Sequence, residues 1–350
     1  MLNLTDYGLI PSMIPENAGG IPARVIAVHK ERYELVCEYG HIFGRLKPSV
    51  YFLEQSEYFP VTGDFVLINY NPSGDSQIIK TLKRKSYFSR RDPIPEKGEQ
   101  AVAANFDYVF IMQSLNADFN IRRMERYITL SWQSGAVPVI ILTKADLTDD
   151  YSEQMLAAQK VAAGAEILAI SAKTGLGMDK LMNYLNPGKT LVFLGSSGVG
   201  KSSLVNAIAG KDIMETGEIR EDDSKGRHTT TRRQLIMMPN GVMIIDTPGM
   251  RQLGMFDISI GLGEAYSDVE NYIKMCRFSD CSHNNEPGCA VRAAIENGEL
   301  SAERWESYSK LKREAKYSDD KGVYLRQKQQ WHKDVSKWSR QMKKNGKIKK

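Results

Sequence analysis

Gly195-Ser196-Ser197-Gly198-Val199-Gly200-Lys201-Ser202-Ser203 follows the apolar run Thr190–Leu194 and leads into Leu204-Val205-Asn206-Ala207-Ile208-Ala209. A stretch of the form GxxxxGK[ST] at a strand-to-helix turn cradles phosphate groups. Its glycines let backbone N–H groups curl round phosphate oxygens, and the helix start adds its positive dipole end. Lys201 would reach the β- and γ-phosphates of a nucleoside triphosphate, and the Ser202 hydroxyl would ligate Mg²⁺. The other reading is a Gly/Ser turn ahead of an ordinary helix.

Upstream of this loop, strands alternate with helices. Residues 108–113, 137–142 and 166–170 are strand-like, while 121–133, 151–163 and 178–185 are helix-like. That alternation predicts a parallel sheet with helices on both faces. Two short motifs fall at strand ends, where α/β proteins place their ligands. Thr143-Lys144-Ala145-Asp146 is the first. The Asp146 carboxylate can accept from both N1–H and the exocyclic amine of guanine, a pair that adenine does not offer, and the Lys144 stem can lie along the base. Ser171-Ala172-Lys173 is the second, with backbone N–H groups for guanine O6. Each motif alone also reads as a plain strand-to-helix turn. With the phosphate loop, they bring three strand ends to one nucleotide.

Downstream, residues 211–233 are polar and contain Gly226-Arg227-His228-Thr229-Thr230-Thr231, a loop by composition. A hairpin across Pro239-Asn240-Gly241 follows and ends in Asp246-Thr247-Pro248-Gly249. Asp246 can hold the magnesium shell through water, and the Gly249 N–H can sense a γ-phosphate. Thr229 and Thr230 both stand where a switch threonine would meet magnesium, and Thr230 is taken as the ligand. Many GTPases carry a Gln directly after Asp-x-x-Gly to orient the attacking water. Here that place is Met250. His228 is the candidate catalytic group in its stead, the alternative being an exposed loop histidine.

Ahead of the α/β region, residues 24–29, 33–38, 42–46, 65–70 and 77–82 read as five short strands separated by turns. They predict a small closed barrel of the oligonucleotide-binding type, either contacting RNA or serving as a spacer. Cys37 falls in one strand and reads as core. Residues 84–103, with Pro93, Pro95 and Gly98, read as a linker.

The far end of the chain carries metal and charge. Cys276-x4-Cys281-x-His283-x5-Cys289 supplies three thiols and an imidazole, a tetrahedral zinc set with no position left for water. Such a closed site is structural; three buried cysteines and a surface histidine are the alternative. The net charge of +5 hides an asymmetry. Residues 321–350 hold eleven Lys/Arg and one acidic residue, Asp334, so a basic tail follows an acidic body. Tyr324, Trp331 and Trp338 are interleaved there, which favours RNA contact over a merely solvated tail. Four cysteines do not make a disulfide scaffold, and the first twenty residues lack a secretory signal. No run is long enough for a membrane span.

Phosphate loop, switch threonine, DxxG, [NT]KxD and SAK resemble the GTPase motif set. TKAD and SAK precede the phosphate loop, an order similar to that of the circularly permuted GTPases. With the barrel, the GRHTTT loop and the Cys/His cluster, the chain resembles the RsgA family of GTPases that depend on the small ribosomal subunit. The resemblance covers roughly residues 20–315. It implies GTP hydrolysis stimulated by the 30S subunit and a role in late 30S maturation. Thr143 departs from the usual Asn, placing a hydroxyl where an amide would lie near guanine N7.

The expected architecture is a multidomain α/β chain. An OB-type β-barrel spans 20–85, a permuted GTPase domain 100–255, a helical zinc-binding domain 256–320 and a basic tail 321–350. One structural zinc, and Mg²⁺ with GTP, are the expected cofactors. The expected partners are GTP/GDP and the 30S subunit with its rRNA, for a cytoplasmic monomer without membrane contact. One rival is a non-catalytic RNA-binding assembly scaffold that GTP only orders. A second is a metabolic or signalling NTPase without ribosome contact, against which the barrel and tail speak.

Overall fold

A computed structural model of the chain describes residues 1–29, 32–48, 59–91, 99–116, 118–214, 233–246 and 259–316. Five strands come first: β1 (Ile21–Val28), β2 (Tyr33–Cys37), β3 (Gly40–Leu46), β4 (Phe65–Asn69) and β5 (Ser76–Thr81). They close in the circuit β1-β2-β3-β5-β4-β1, with only the β3–β5 pair parallel. This is the expected small barrel. Ala23, Val25, Leu35, Cys37, Val66, Ile68 and Ile78 fill it, and Cys37 is core. Register shifts at Val25/Ala27 and Leu67/Ile68 bend the strands enough to close.

The stretch expected to be a linker instead contains an antiparallel ribbon, β6 (Tyr87–Arg91) and β7 (Glu99–Ala104). Its cause is apolar. Phe88 stacks on Phe106 with centroids 4.8 Å apart, and Ala101, Val102, Ala103 and Ala104 are all buried. Pro93, Pro95 and Gly98, which suggest a linker, lie in 92–98, outside the described residues.

The alternating region follows: β8 (Tyr108–Ser114), α1 (Ile121–Gln133), β9 (Val137–Thr143), α2 (Ser152–Val161), β10 (Glu166–Ala169), α3 (Met178–Leu181), β11 (Thr190–Leu194) and α4 (Lys201–Ala209). The hairpin strands β12 (Gln234–Met237) and β13 (Met243–Asp246) complete it. Strands β10, β9, β8, β11 and β13 lie side by side and parallel. Both faces are buried, as parallel sheets require. Val109, Ile111, Ile140 and Val192 face a core shared with Met124 and Ile128 of α1 and Val161 of α2. Their chain neighbours Phe110, Met112, Val139, Ile141 and Phe193 face a second core with Leu181 of α3 and Leu204 of α4.

Barrel and α/β sheet are not separate. Strand β12 pairs antiparallel with β1 at Gln234↔Ala27, joining everything into an eleven-stranded sheet. Arg24 of β1 sits in the joint at 0% exposure. Its guanidinium donates to the Gly63 and Asn105 carbonyls, to the Tyr7 carbonyl, to Thr190 Oγ1 at 2.9 Å, and to Met243 Sδ. Burial pulls its pKa down to about 10, with Asp107 and Asp64 opposing. One side chain thus fastens the barrel to the first residues of β11 and β13.

The C-terminal part holds α5 (Ser259–Ala265), α6 (Ser267–Lys274), α7 (Ala290–Glu296) and a helix α8 over residues 302–316. Helix α5 lies close on α1: a Cβ at Gly261 would stand 2.2 Å from the Thr129 carbonyl oxygen. The Ser301 hydroxyl accepts from the Arg304 amide and caps α8. Arg304 then pairs with Glu125 of α1 at 2.9 Å and Asp268 of α6 at 2.9 Å. Arg122–Glu306 and Arg126–Glu314 add two more ties between α1 and α8. Among the described residues, no helix is long and apolar enough to cross a membrane.

Candidate functional site

The phosphate-loop residues Gly195, Ser196, Ser197, Gly198, Val199 and Gly200 run from the end of β11 to the start of α4, as the sequence predicts. Gly198 (φ +72°) and Gly200 (φ +101°) occupy the left-handed region that turns the loop back on itself. Lys201 opens α4, and its ammonium donates to the Gly195 and Ser196 carbonyls at 3.0 and 3.2 Å. Ser202 and Ser203 stand in the same first turn. Asp246 ends β13, the strand beside β11, with Val192 and Ile245 in register. An alcohol at the helix start and a carboxylate at the neighbouring strand end suit a magnesium ion, which takes oxygen ligands and keeps several waters.

The Thr143 motif meets the same loop, and the Ser171 motif meets the Thr143 turn. Thr143 ends β9 and is buried. Its hydroxyl donates to the Val199 carbonyl at 2.7 Å, so it ties the strand end to the phosphate loop. Lys144 takes a left-handed turn (φ +60°) into a 3-10 turn, Ala145–Leu147, that leaves Asp146 exposed. The Ala145 amide donates to Ile170 O at 3.1 Å, so this turn touches the Ser171 segment. The Ser171 hydroxyl accepts from the Lys173 and Thr174 amides at 3.2 and 3.1 Å and shapes the segment into a turn. Ala172 is half-buried and Lys173 exposed. His228, Thr229, Thr230 and Gly249, with Met250 and the tail 321–350, lie outside the described residues.

Sequence patterns miss a third group. The Ser196 hydroxyl donates to the Asp118 carboxylate, which also receives Arg123 Nη1 at 3.1 Å. Arg123 Nη2 reaches Gln113 Oε1 at 2.9 Å and the Asp118 carbonyl. Gln113, at 0% exposure, lies on β8 next to β11. Asn120 caps α1 by accepting from the Arg123 amide at 2.9 Å. The one local signal is that cap, Asn120 ahead of an amphipathic run.

Cys276, Cys281, His283 and Cys289 converge, their ligand atoms all within 4.8 Å of one another. His283 Nδ1 lies 3.5 Å from Cys276 Sγ and 3.6 Å from Cys289 Sγ. Sulfurs around a tetrahedral zinc with Zn–S of about 2.3 Å stand roughly 3.8 Å apart, so the set fits zinc. Burial pushes the Cys276 thiol up, but the Val291 and Ala290 amides at the start of α7 and the Cys281 and Cys289 thiols together outweigh it, and its pKa falls below the ordinary thiol value. Glu286 braces the loop between ligands, accepting from the Ser282 and Asn284 amides at 2.9 and 3.1 Å, and its pKa falls to about 2. His283 stands edge-on to Trp305 of α8, with centroids 5.2 Å apart.

Residues 81–256 match the family described as RsgA GTPase. The chain is 47% identical over 294 residues to the small ribosomal subunit biogenesis GTPase RsgA 1 of Listeria innocua, covering 84% of this chain and 83% of that protein. It is 42% identical over 337 residues to RsgA 2 of Lactiplantibacillus plantarum, covering 94% and 93%. The crystal structure of YjeQ from Thermotoga maritima superposes with a TM-score of 0.59 at 27% identity, over 83% of this chain and 96% of that one. YloQ, a circularly permuted GTPase, gives 0.57 at 25% identity, over 86% and 96%.

Proposed function

This chain belongs to the RsgA GTPase family, and from that premise we propose that it serves small ribosomal subunit biogenesis as a GTP hydrolase that binds the subunit in its GTP state and leaves after subunit-stimulated hydrolysis. The observation that supports this most directly is the convergence of strand ends: Thr143 on Val199, and Ala145 on Ile170, bring base-reading and phosphate-holding segments together. In this proposal Asp146 reads guanine, the backbone of Ser171, Ala172 and Lys173 meets O6, and Lys201 holds the β- and γ-phosphates. Ser202, Thr230 and, through water, Asp246 would hold magnesium. That ion, when bound, offsets charge on the phosphates. His228 orients the attacking water, Gly249 senses the γ-phosphate, and Thr229 lies in the same switch.

The Cys276, Cys281, His283 and Cys289 set holds a structural zinc in this proposal, and the basic tail meets rRNA. The protein works as a cytoplasmic monomer on late 30S particles. Two measurements test the proposal. Single-turnover GTP hydrolysis should accelerate on adding 30S subunits, and co-sedimentation should favour the GTP-analogue form over GDP. Binding without acceleration would leave the protein a GTP-ordered scaffold. Asp146→Asn should shift preference from GTP towards xanthosine triphosphate; unchanged selectivity would remove Asp146 from base recognition.

A further inference from the structure

We propose that Asp118 and Arg123 are positioning residues of the GTPase site, fixing the start of the phosphate loop through the hydroxyl of Ser196. This rests on the GTPase function proposed above. The loop's first peptides are held from two sides. Lys201 grips the Gly195 and Ser196 carbonyls from within, at 3.0 and 3.2 Å. Asp118 grips the Ser196 hydroxyl from outside. The lysine's grip changes when its ammonium turns to phosphate oxygens, whereas the carboxylate's grip involves no group that phosphate contacts in the same role. The outer grip therefore keeps the loop in shape across the nucleotide cycle.

The charges around this grip suit an anion site. A bare carboxylate beside a phosphate loop would repel the nucleotide. Arg123 neutralises Asp118 at 3.1 Å and is itself aimed by Gln113 Oε1 at 2.9 Å. Gln113 Nε2 and Arg123 Nε are further buried donors with no acceptor among the described residues. The cluster thus holds more donors than acceptors. Its geometry is imposed by rigid parts: Gln113 is on a central strand, and Arg123 is in the first turn of α1 behind the Asn120 cap.

A double-mutant cycle on the full chain tests the assignment, using Asp118→Ala, Ser196→Ala and the double variant. The readouts are fluorescent GTP-analogue affinity, and KM and kcat for GTP with 30S subunits. Each single variant should weaken affinity roughly tenfold or more, the range for losing a hydrogen bond to a charged group. The double variant should be no weaker than Asp118→Ala, which already removes the Ser196 bond along with the Arg123 pair. KM should rise by the same factor with kcat at saturation retained, the mark of lost binding in ground and transition states alike. Asp118→Asn keeps an acceptor for Ser196 and should recover part of the affinity. Additive losses, or unchanged affinity in a folded Asp118→Ala, would overturn the assignment. Should Asp118→Ala fail to fold, Ser196→Ala decides: wild-type affinity there refutes it. A wild-type chain that neither binds nor hydrolyses GTP would instead overturn the proposed function itself.

Discussion

At the residue scale, Thr143 shows how a small departure in a motif is absorbed. Its hydroxyl reaches Val199 O at 2.7 Å, so the strand end stays tied to the phosphate loop without an amide. Thr143→Val should therefore lower GTP affinity by about 1 kcal/mol, roughly fivefold, while Thr143→Ser keeps it; isothermal titration of both variants checks this. His228 carries the larger expectation. With Met250 in the usual place of a water-orienting Gln, His228→Ala should lower 30S-stimulated kcat roughly a hundredfold or more while GTP-analogue affinity holds. Normal stimulated turnover would pass the task to a ribosomal group. The turns at Gly195–Gly200 and after Thr143 and Ser171 were legible because they demand particular residues at fixed spacing after a strand. Asp118 and Arg123 were not, since their link to Ser196 depends on β8 lying beside β11, a neighbourhood that no local pattern states.

At the element scale, apolar periodicity decided most of what could be read. The five barrel strands and the α/β alternation follow from runs that bury one or both faces, and each lies within a few residues of its expected place. The ribbon β6–β7 was misread because its prolines and glycine mark the segment between its strands, while Ala101–Ala104 look weak as strand formers until Phe88 and Phe106 cover them. The β1–β12 pairing had no signal at all, for it depends on two regions some two hundred residues apart. Arg24 at that joint gives a sharp test. Arg24→Met should destabilise the protein by about 3–5 kcal/mol, since several buried acceptors would each lose a donor at roughly 1–3 kcal/mol apiece. The Asn105 and Tyr7 carbonyls and the Thr190 hydroxyl would lose the donor that Arg24 supplies, while the Gly63 carbonyl would keep only the Asn105 side-chain amide. Denaturant unfolding at fixed nucleotide concentration measures it, and a loss below about 1 kcal/mol would mean that water replaces the guanidinium.

At the scale of the whole molecule, charge is divided: an acidic body of 320 residues precedes a tail with eleven Lys/Arg. Deleting residues 321–350 should weaken 30S binding and flatten its dependence on salt, because released counterions drive such contacts. Titrating subunits at several salt concentrations checks this, and an unchanged slope would leave the tail merely solvated. The Arg24 joint also bears on how the chain is born. The barrel is complete in sequence once Thr81 is translated, and its strands pair with one another. Two of the groups that Arg24 meets, Thr190 and Met243, emerge much later. At about 5–20 residues per second, the nascent barrel waits roughly 8 to 30 s, with Arg24 at first held only by Tyr7 and Gly63, before Met243 arrives to complete the joint. A slowly translated message lengthens that wait, so synonymous codon changes between these points should alter the yield of folded protein, measured as soluble protein per message, without altering a single side chain.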